Sequence, residues 1–344
     1  MVNFNDKIIL VTGGTGSIGE ALIIKLLENY SPKIIRIFSR DETKQHLLAK
    51  KLSKNRSKLR LLIGDIRDRE RLKIAMRNVD IVFHLAALKH VTACEYNPFE
   101  AIKTNIIGLQ NLIEISMENN VEKVLFTSTD KAATPSNTMG VTKLLGEKLI
   151  TAANFYKGDA KTIFYSIRFG NVLGSRGSLI PLIENQIKNN IPITLTHTEM
   201  TRYIMSIEKA IELILLTLEI AQGGEVFVFK MNAVKIIDLI DVLIDIISAK
   251  LEKKRENVQI KEIGMFAGEK LYEELFSIEE SMRTYETENM YIVFPQLTEV
   301  SVKLNHSFYP NLNRFDNSKS YNSKDGPFLT KEEIKDFLIK NNII

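Results

Sequence analysis

A doubly wound parallel α/β sheet followed by a smaller α/β lobe is the fold class this sequence predicts, and three observations lead to it. Short β-branched runs alternate with helical patterns through the first 170 residues, a glycine-rich turn follows the first run, and the alternation stops near residue 171. The length of 344 residues fits about two domains, at roughly 100–200 residues each.

In order, strands are expected at 7–12 (KIILVT), 33–38 (KIIRIF), 58–63 (KLRLLI), 79–83 (VDIVF), 122–128 (EKVLFTS) and 161–168 (KTIFYSIR). Helical patterns fill the gaps: Ser17 to Asn29, Asp41 to Ser53, Arg69 to Met76, Pro98 to Asn119 and Met139 to Tyr156. Pro98 suits a first helical turn, where its missing N–H costs nothing. Beyond 171 the pieces shrink to a helix at 178–189, a short PITLT strand, a helix from Ser206 to Ala221, a strand at 225–230 and a helix from Ile236 to Leu251. In that last helix Asp238, Asp241 and Asp245 share one solvated face. Residues 298–324 are rich in Asn, Ser and Lys and read as an extended surface segment. Thr330 and Glu333 have the spacing of a capping box, which predicts a terminal helix. The expected division is a dinucleotide-binding domain at 1–170, a second lobe at 171–297 from which the chain can cross back, and a wrapping tail with a helix at 298–344.

Composition narrows the function classes. With 44% apolar and 26% charged residues the chain is neither disordered nor fibrous. Its 46 Lys+Arg against 42 Asp+Glu are spread along the sequence, which argues against a nucleic-acid footprint. A single cysteine, Cys94, excludes an internal disulfide and no secretory signal pattern opens the chain, so a cytoplasmic location is expected. The most apolar runs, Ile211 to Leu218 and Ile236 to Ile247, fall short of the ~20 residues of a membrane span.

Ligands of such a sheet bind at the carboxyl ends of its strands. After the first strand, Thr12-Gly13-Gly14-Thr15-Gly16-Ser17-Ile18-Gly19 has glycines spaced by three and opens a helix. This is the phosphate loop of a Rossmann dinucleotide site: glycine permits close approach of a pyrophosphate, and the helix N-terminus supplies N–H donors. Gly13, Thr15, Gly16, Ser17, Ile18 and Gly19 are therefore cofactor candidates. Ser39 and Arg40, ending the second strand, suit a 2′-phosphate, so NADP is expected over NAD, unless Asp41 does no more than cap the next helix. Asp65 and Ile66 after the third strand, and Ala86 and Ala87 after the fourth, line the same cofactor side.

After the fifth strand come Ser128-Thr129-Asp130-Lys131 and then Met139-Gly140-Val141-Thr142-Lys143 on a helix. From residue 7 to about 295 the sequence resembles the extended short-chain dehydrogenase/reductase family. With Ala87-Leu88-Lys89, Phe169-Gly170-Asn171-Val172, Met200-Thr201-Arg202 and Gly268-Glu269-Lys270-Leu271, it is similar to the UDP-N-acetylglucosamine 4,6-dehydratase branch of capsule, flagellin and nonulosonate pathways. Most members of the larger family carry Tyr where this chain has Met139, and a thioether has no proton to transfer. A subset of the sugar dehydratases shares the Met.

The resemblance implies a three-part reaction in which hydride leaves sugar carbon 4, water is lost across carbons 5 and 6, and hydride returns to carbon 6. It assigns Asp130 to protonating the leaving hydroxyl, Lys131 to removing the carbon-5 proton, Thr129 to the 4-hydroxyl, and Lys143 to the nicotinamide ribose. The Asp130 and Lys131 roles are interchangeable on this reading, and a surface Asp–Lys pair of no consequence is the alternative. Lys89, Asn171, Arg176, Thr194, Arg202 and Glu269 are candidates for holding the sugar diphosphate, with Lys89 and Asn105 also near the cofactor. Phe266 and Ala267 stand where the family often has Arg. His84, His90, His197 and Cys94 lack metal spacing and read as structural. A homo-oligomer formed through the helices at 98–119 and 139–156 is implied. The rival readings are a UDP-sugar 4-epimerase, which needs no elimination pair, and a non-catalytic nucleotide-binding protein.

Overall fold

Six β-branched runs form parallel strands: β1 (Ile8–Thr12), β2 (Ile34–Ser39), β3 (Leu59–Ile63), β4 (Ile81–His84), β5 (Lys123–Thr127) and β6 (Ile163–Arg168). The computed structural model of the chain describes residues 4–177, 179–297, 304–315 and 319–344. In space the strands run β3-β2-β1-β4-β5-β6, so the order reverses between β1 and β4 and opens the crevice where ligands of such sheets bind. The central strands are apolar at nearly every position because both faces are covered. Leu10, Val82, Val124, Phe126 and Phe164 face one buried layer, while Ile9, Val11, Phe83, Leu125 and Tyr165 face the other.

Three expectations need correction, the third of them in the smaller lobe. The 225–230 strand, assigned to the smaller lobe, lies in the main sheet: Val226–Phe229 pairs parallel to β6. Met290–Val293, Thr284–Glu286 and Asn313–Arg314 then extend that edge antiparallel, making ten strands in all. Strand pattern alone does not say which sheet a strand joins. The helix expected from Pro98 is preceded by an unforeseen one at Val91–Tyr96, and a π-turn at Lys103–Ile107 divides it before Gly108–Glu118 continues.

The smaller lobe has its own core, in which Ile183, Ile187, Leu239, Leu243, Ile334 and Leu338 pack together. Its helices run Leu179–Lys188 and Ile236–Lys250; Ser178, the expected start of the first, lies outside the described residues. The Ile207–Ile220 helix, expected in this lobe, packs instead on the main sheet, where Ile211, Ile214 and Leu218 join the core of Ile9, Val11 and Leu22. Asp241 and Asp245 bond Arg255, and Asp241 also bonds Lys331, so this acidic face is a surface ion network. Of the 298–324 segment, 298–303 and 316–318 lie outside the described residues. Thr330 and Glu333 close the expected capping box on Lys331–Lys340.

Candidate active site

The glycine loop is shaped by contacts that a side chain would break. A β-carbon on Gly13, whose φ is +68°, would lie 2.8 Å from Ala86 N, and one on Gly19 would lie 2.6 Å from Gly14 Cα. Gly13 N–H donates to Phe38 O at 2.9 Å, tying the loop to the end of β2. The following helix, Ser17–Asn29, begins at Gly16 with no side-chain cap, which leaves its terminal N–H donors for an anion. These residues fit a dinucleotide pyrophosphate.

Around the loop, Asp41 caps the Glu42–Lys51 helix by accepting from Lys44 N. Ser39 Oγ accepts from Gln45 Nε2 at 3.0 Å. Arg40 extends within 3.7 Å of Asp65, whose carboxylate also accepts from Arg67 N and Nε. Arg176 reaches across from the second lobe: its N–H donates to Ser17 Oγ at 2.9 Å and its guanidinium to Thr15 O. Lys89 Nζ donates to Arg176 O at 3.1 Å. Both cations therefore stand at the phosphate loop, on the cofactor side of the crevice.

The π-turn places Asn105 to hold two parts of the site in register. Asn105 Oδ1 accepts from Leu88 N at 2.8 Å, while Nδ2 donates to Leu88 O and to Thr142 Oγ1. Thr142 sits beside Lys143 on the Thr138–Tyr156 helix, so the turn couples the loop after β4 to that helix. Lys143 is buried, donates to Thr127 O at 2.8 Å, and lies 4.7 Å over the Phe126 ring. Burial lowers its pKa to about 8, with Glu147 and Cys94 opposing the shift. Met139 is also buried and packs with Cys94 and Ala101. His84 is neutral: burial, aided by Lys143, lowers its pKa to about 3, and Nδ1 bonds Thr12 Oγ1 at 2.8 Å.

Asp130 and Lys131 form a short 3₁₀ turn directly beyond β5. Asp130 is 1% exposed, which excludes the reading of a solvated surface pair. Its Oδ1 accepts from Thr129 Oγ1 at 2.8 Å and from Lys131 Nζ at 3.0 Å, while Oδ2 is buried with no hydrogen-bond partner among the described residues. Gly170 packs against that oxygen, since a β-carbon there would lie 3.0 Å from Oδ2. Gly140 packs as closely on the other side: its β-carbon would fall 2.3 Å from Lys131 O.

The second lobe completes this cluster with a residue that sequence reasoning missed. Glu273 Oε1 lies 3.1 Å from Lys131 Nζ, and Arg202 Nε stands 3.7 Å from the same oxygen. Burial alone would lower the Lys131 pKa, but Asp130 and Glu273 outweigh it and raise it. The only sequence signal for Glu273 was its place two residues beyond Gly268-Glu269-Lys270-Leu271.

The other substrate candidates are not all gathered here. Glu269 closes its own turn through Phe266 N, and Gly268 O accepts from Asn137 Nδ2 at 2.9 Å, docking this loop onto the start of the Lys143 helix. Asn171 pairs with Ile204 in a three-stranded sheet. Thr194 is bonded by Gln186 at 3.1 Å in a separate two-stranded sheet. Among the described residues no group of three or more His, Cys, Asp or Glu is placed to hold a metal.

Known proteins give these features a lineage. Residues 9–295 match the family described as polysaccharide biosynthesis protein. The chain is 52% identical over 335 residues to an uncharacterized membrane protein of Methanocaldococcus jannaschii, covering 97% of this chain and 96% of that one. No helix among the described residues is long and apolar enough to cross a membrane. It is 46% identical over 295 residues to a UDP-N-acetylglucosamine 4,6-dehydratase (inverting) of Campylobacter jejuni, covering 86% and 84%. A UDP-glucose 4-epimerase of Rickettsia bellii is 40% identical over 341 residues, covering 98% and 96%. The X-ray structure of Pen from Bacillus thuringiensis superposes over 100% of both chains with a TM-score of 0.92 and 42% identity. The chain therefore belongs to the polysaccharide biosynthesis protein family within the extended short-chain dehydrogenases/reductases.

Proposed function

We propose that the protein is a nicotinamide-dependent nucleotide-sugar 4,6-dehydratase acting on UDP-N-acetylglucosamine. The observation that carries this reading is the buried Asp130–Lys131 pair beyond β5, with a carboxylate oxygen left unpartnered. An epimerase needs no such acid–base pair. The relative named as a dehydratase supports the same choice, while the relative named as a 4-epimerase keeps the rival in view. NADP is the proposed cofactor because Ser39 ends β2 and Arg40 directly follows it; bound in the glycine loop, it would supply hydride acceptance at carbon 4 and hydride donation at carbon 6.

The protein's own residues handle the protons. Thr129 Oγ1 accepts from the 4-hydroxyl, and that proton leaves to solvent by way of Asp130, the acceptor of the Thr129 hydrogen bond, so that Asp130 is again a carboxylate before elimination begins. Since Lys131 is held as an ammonium by two carboxylates, we exchange the roles first implied by the resemblance. Asp130 takes the carbon-5 proton and Lys131 protonates the departing 6-hydroxyl. A proton crossing the 3.0 Å between Asp130 and Lys131 then resets the pair, and as hydride returns to carbon 6 a proton of solvent origin returns to carbon 5. Met139 takes no part in proton transfer, and Lys143 orients the ribose.

In this reading residues 1–170 carry the cofactor and 171–297 supply the sugar-binding side, apart from the strands at Val226–Phe229, Thr284–Glu286 and Met290–Val293 that extend the main sheet. Exposed Tyr96, Phe99, Ile107, Val141, Leu145 and Tyr156 on the helices after β4 and β5 support pairing of two copies there. A solution mass near 39.2 kDa would overturn that pairing.

The test of the activity is incubation with UDP-N-acetylglucosamine in deuterated water, followed by NMR and mass spectrometry. Loss of water with deuterium at carbon 5 and a 6-methyl signal is the expected result, and the coupling constants give the configuration at carbon 5. Conversion to the galacto sugar without loss of mass would establish the epimerase instead.

A further inference from the structure

Lys131 has a second anionic partner that proton transfer to and from the sugar does not itself require. Glu273 is 2% exposed and immediately precedes the Glu274–Phe276 strand of the smaller lobe. Its backbone is fixed on both sides by Ser323: Glu273 N–H donates to Ser323 Oγ at 3.0 Å, and Ser323 N–H donates to Glu273 O at 2.8 Å. Its Oε2, like Asp130 Oδ2, is buried without a hydrogen-bond partner. A buried carboxylate with an orphaned oxygen is costly, and packing alone gives no reason to keep one beside a second.

We infer that Glu273 is a positioning residue for the elimination, holding Lys131 Nζ in place and charged through the moment when Asp130 is neutralised. In the resting site two carboxylates share one ammonium, and among the described residues Arg202 is the other charge facing Glu273. Lys270 and Glu274 bond Thr134 on the adjoining turn. When Asp130 accepts the carbon-5 proton, its pull on the ammonium disappears and Lys131 becomes a stronger acid. Glu273 then keeps the proton on nitrogen until the 6-hydroxyl takes it with the breaking carbon–oxygen bond, so that water leaves. Without Glu273 the Lys131 proton can pass to Asp130 within the pair, which exchanges acid and base and takes the carboxylate away as the acceptor for the carbon-5 proton. Burial raises the Glu273 pKa, and Lys131 first and Arg202 after it oppose the rise, which agrees with a carboxylate held chiefly by the Lys131 ammonium.

The functional consequence rests on the dehydratase reading, but the electrostatic core does not, and the experiment separates the two. Carbon-13 ε-labelled lysine in the full chain reports each ammonium by NMR, and a Lys131→Arg variant assigns the Lys131 signal. In the unmutated protein Lys131 should stay charged beyond the ordinary lysine value of about 10.4. In Glu273→Gln its midpoint should fall by at least about one pH unit, and Glu273→Asp should recover part of that fall. Titration of Lys131 below the ordinary value in the unmutated protein would overturn the inference without any variant having to fold. An unmoved midpoint in a folded Glu273→Gln protein would overturn it as well. With the sugar nucleotide, Glu273→Gln should lower kcat about 100-fold and leave KM within about twofold. Unchanged kcat alongside a shifted midpoint would refute the role in elimination.

Discussion

Two buried ion clusters meet the 270s segment from the ends of adjacent strands, and they are built on opposite plans. Arg168, ending β6, is fully buried and spends its fork on Glu147, Glu280 and Leu275 O, with both oxygens of each carboxylate engaged. Asp130, Lys131 and Glu273, beyond β5, leave an oxygen of each carboxylate without a partner. The first cluster is saturated and has nothing left to offer a substrate. The second retains proton acceptors at the carboxyl edge of the sheet. Unsatisfied polarity, rather than buried charge as such, separates a working cluster from a fastening one.

The comparison is open to direct challenge. The largest effect expected is on Asp130→Asn, which should lower dehydration about 1,000-fold while the fold persists, as steady-state kinetics and thermal melting would show; retained turnover would remove the distinction. Arg168→Met should do the reverse. Stranding two buried carboxylates should cost about 3–5 kcal/mol of stability in denaturant melts, with activity per folded molecule largely kept.

Lys143 sharpens the same contrast because Glu147 is already committed to Arg168 and compensates it only in part. Its folded pKa of about 8 lies below the ordinary lysine value, so the unfolded chain binds more protons between about 8 and 10.4 and stability rises with pH across that window. Relative to Lys143→Met, the wild-type protein should gain about 3 kcal/mol between pH 7 and 10.5. Parallel denaturant melts of both proteins that kept a constant gap would contradict this. The smallest effect belongs to Ser323→Ala, which removes the acceptor of Glu273 N–H and should cost about 1 kcal/mol, read as a small fall in melting temperature.

What the sequence made legible was local. The glycine loop, the Asp130-Lys131 turn and the Thr330–Glu333 cap each depend on residues within a few positions, so their spacing discloses them. Glu273 did not announce itself, since its meaning comes from Lys131 in a distant part of the chain. The strand at 226–229 was visible as a strand but not as a neighbour of β6, because alternation fixes a face and not a sheet. The Val91–Tyr96 helix is too short to show a period, and the π-turn around Asn105 has no pattern separate from the helix it interrupts. Gly140 was read as part of a motif, whereas its reason is the carbonyl of Lys131 pressed against it.

The docking of the 270s segment on the 130s turn also bears on how the protein matures. Lys270 and Thr134, joined across 136 residues, stand beside the Glu273–Lys131 pair. A nascent chain therefore carries its glycine loop and its first six strands well before Lys131 meets its second carboxylate, although part of the core on one face of that sheet follows later in the sequence. Such a chain could take up the dinucleotide yet lack the assembled proton machinery. Chemical competence arrives with the last third of the polypeptide, so an incomplete product of translation would bind without turning anything over.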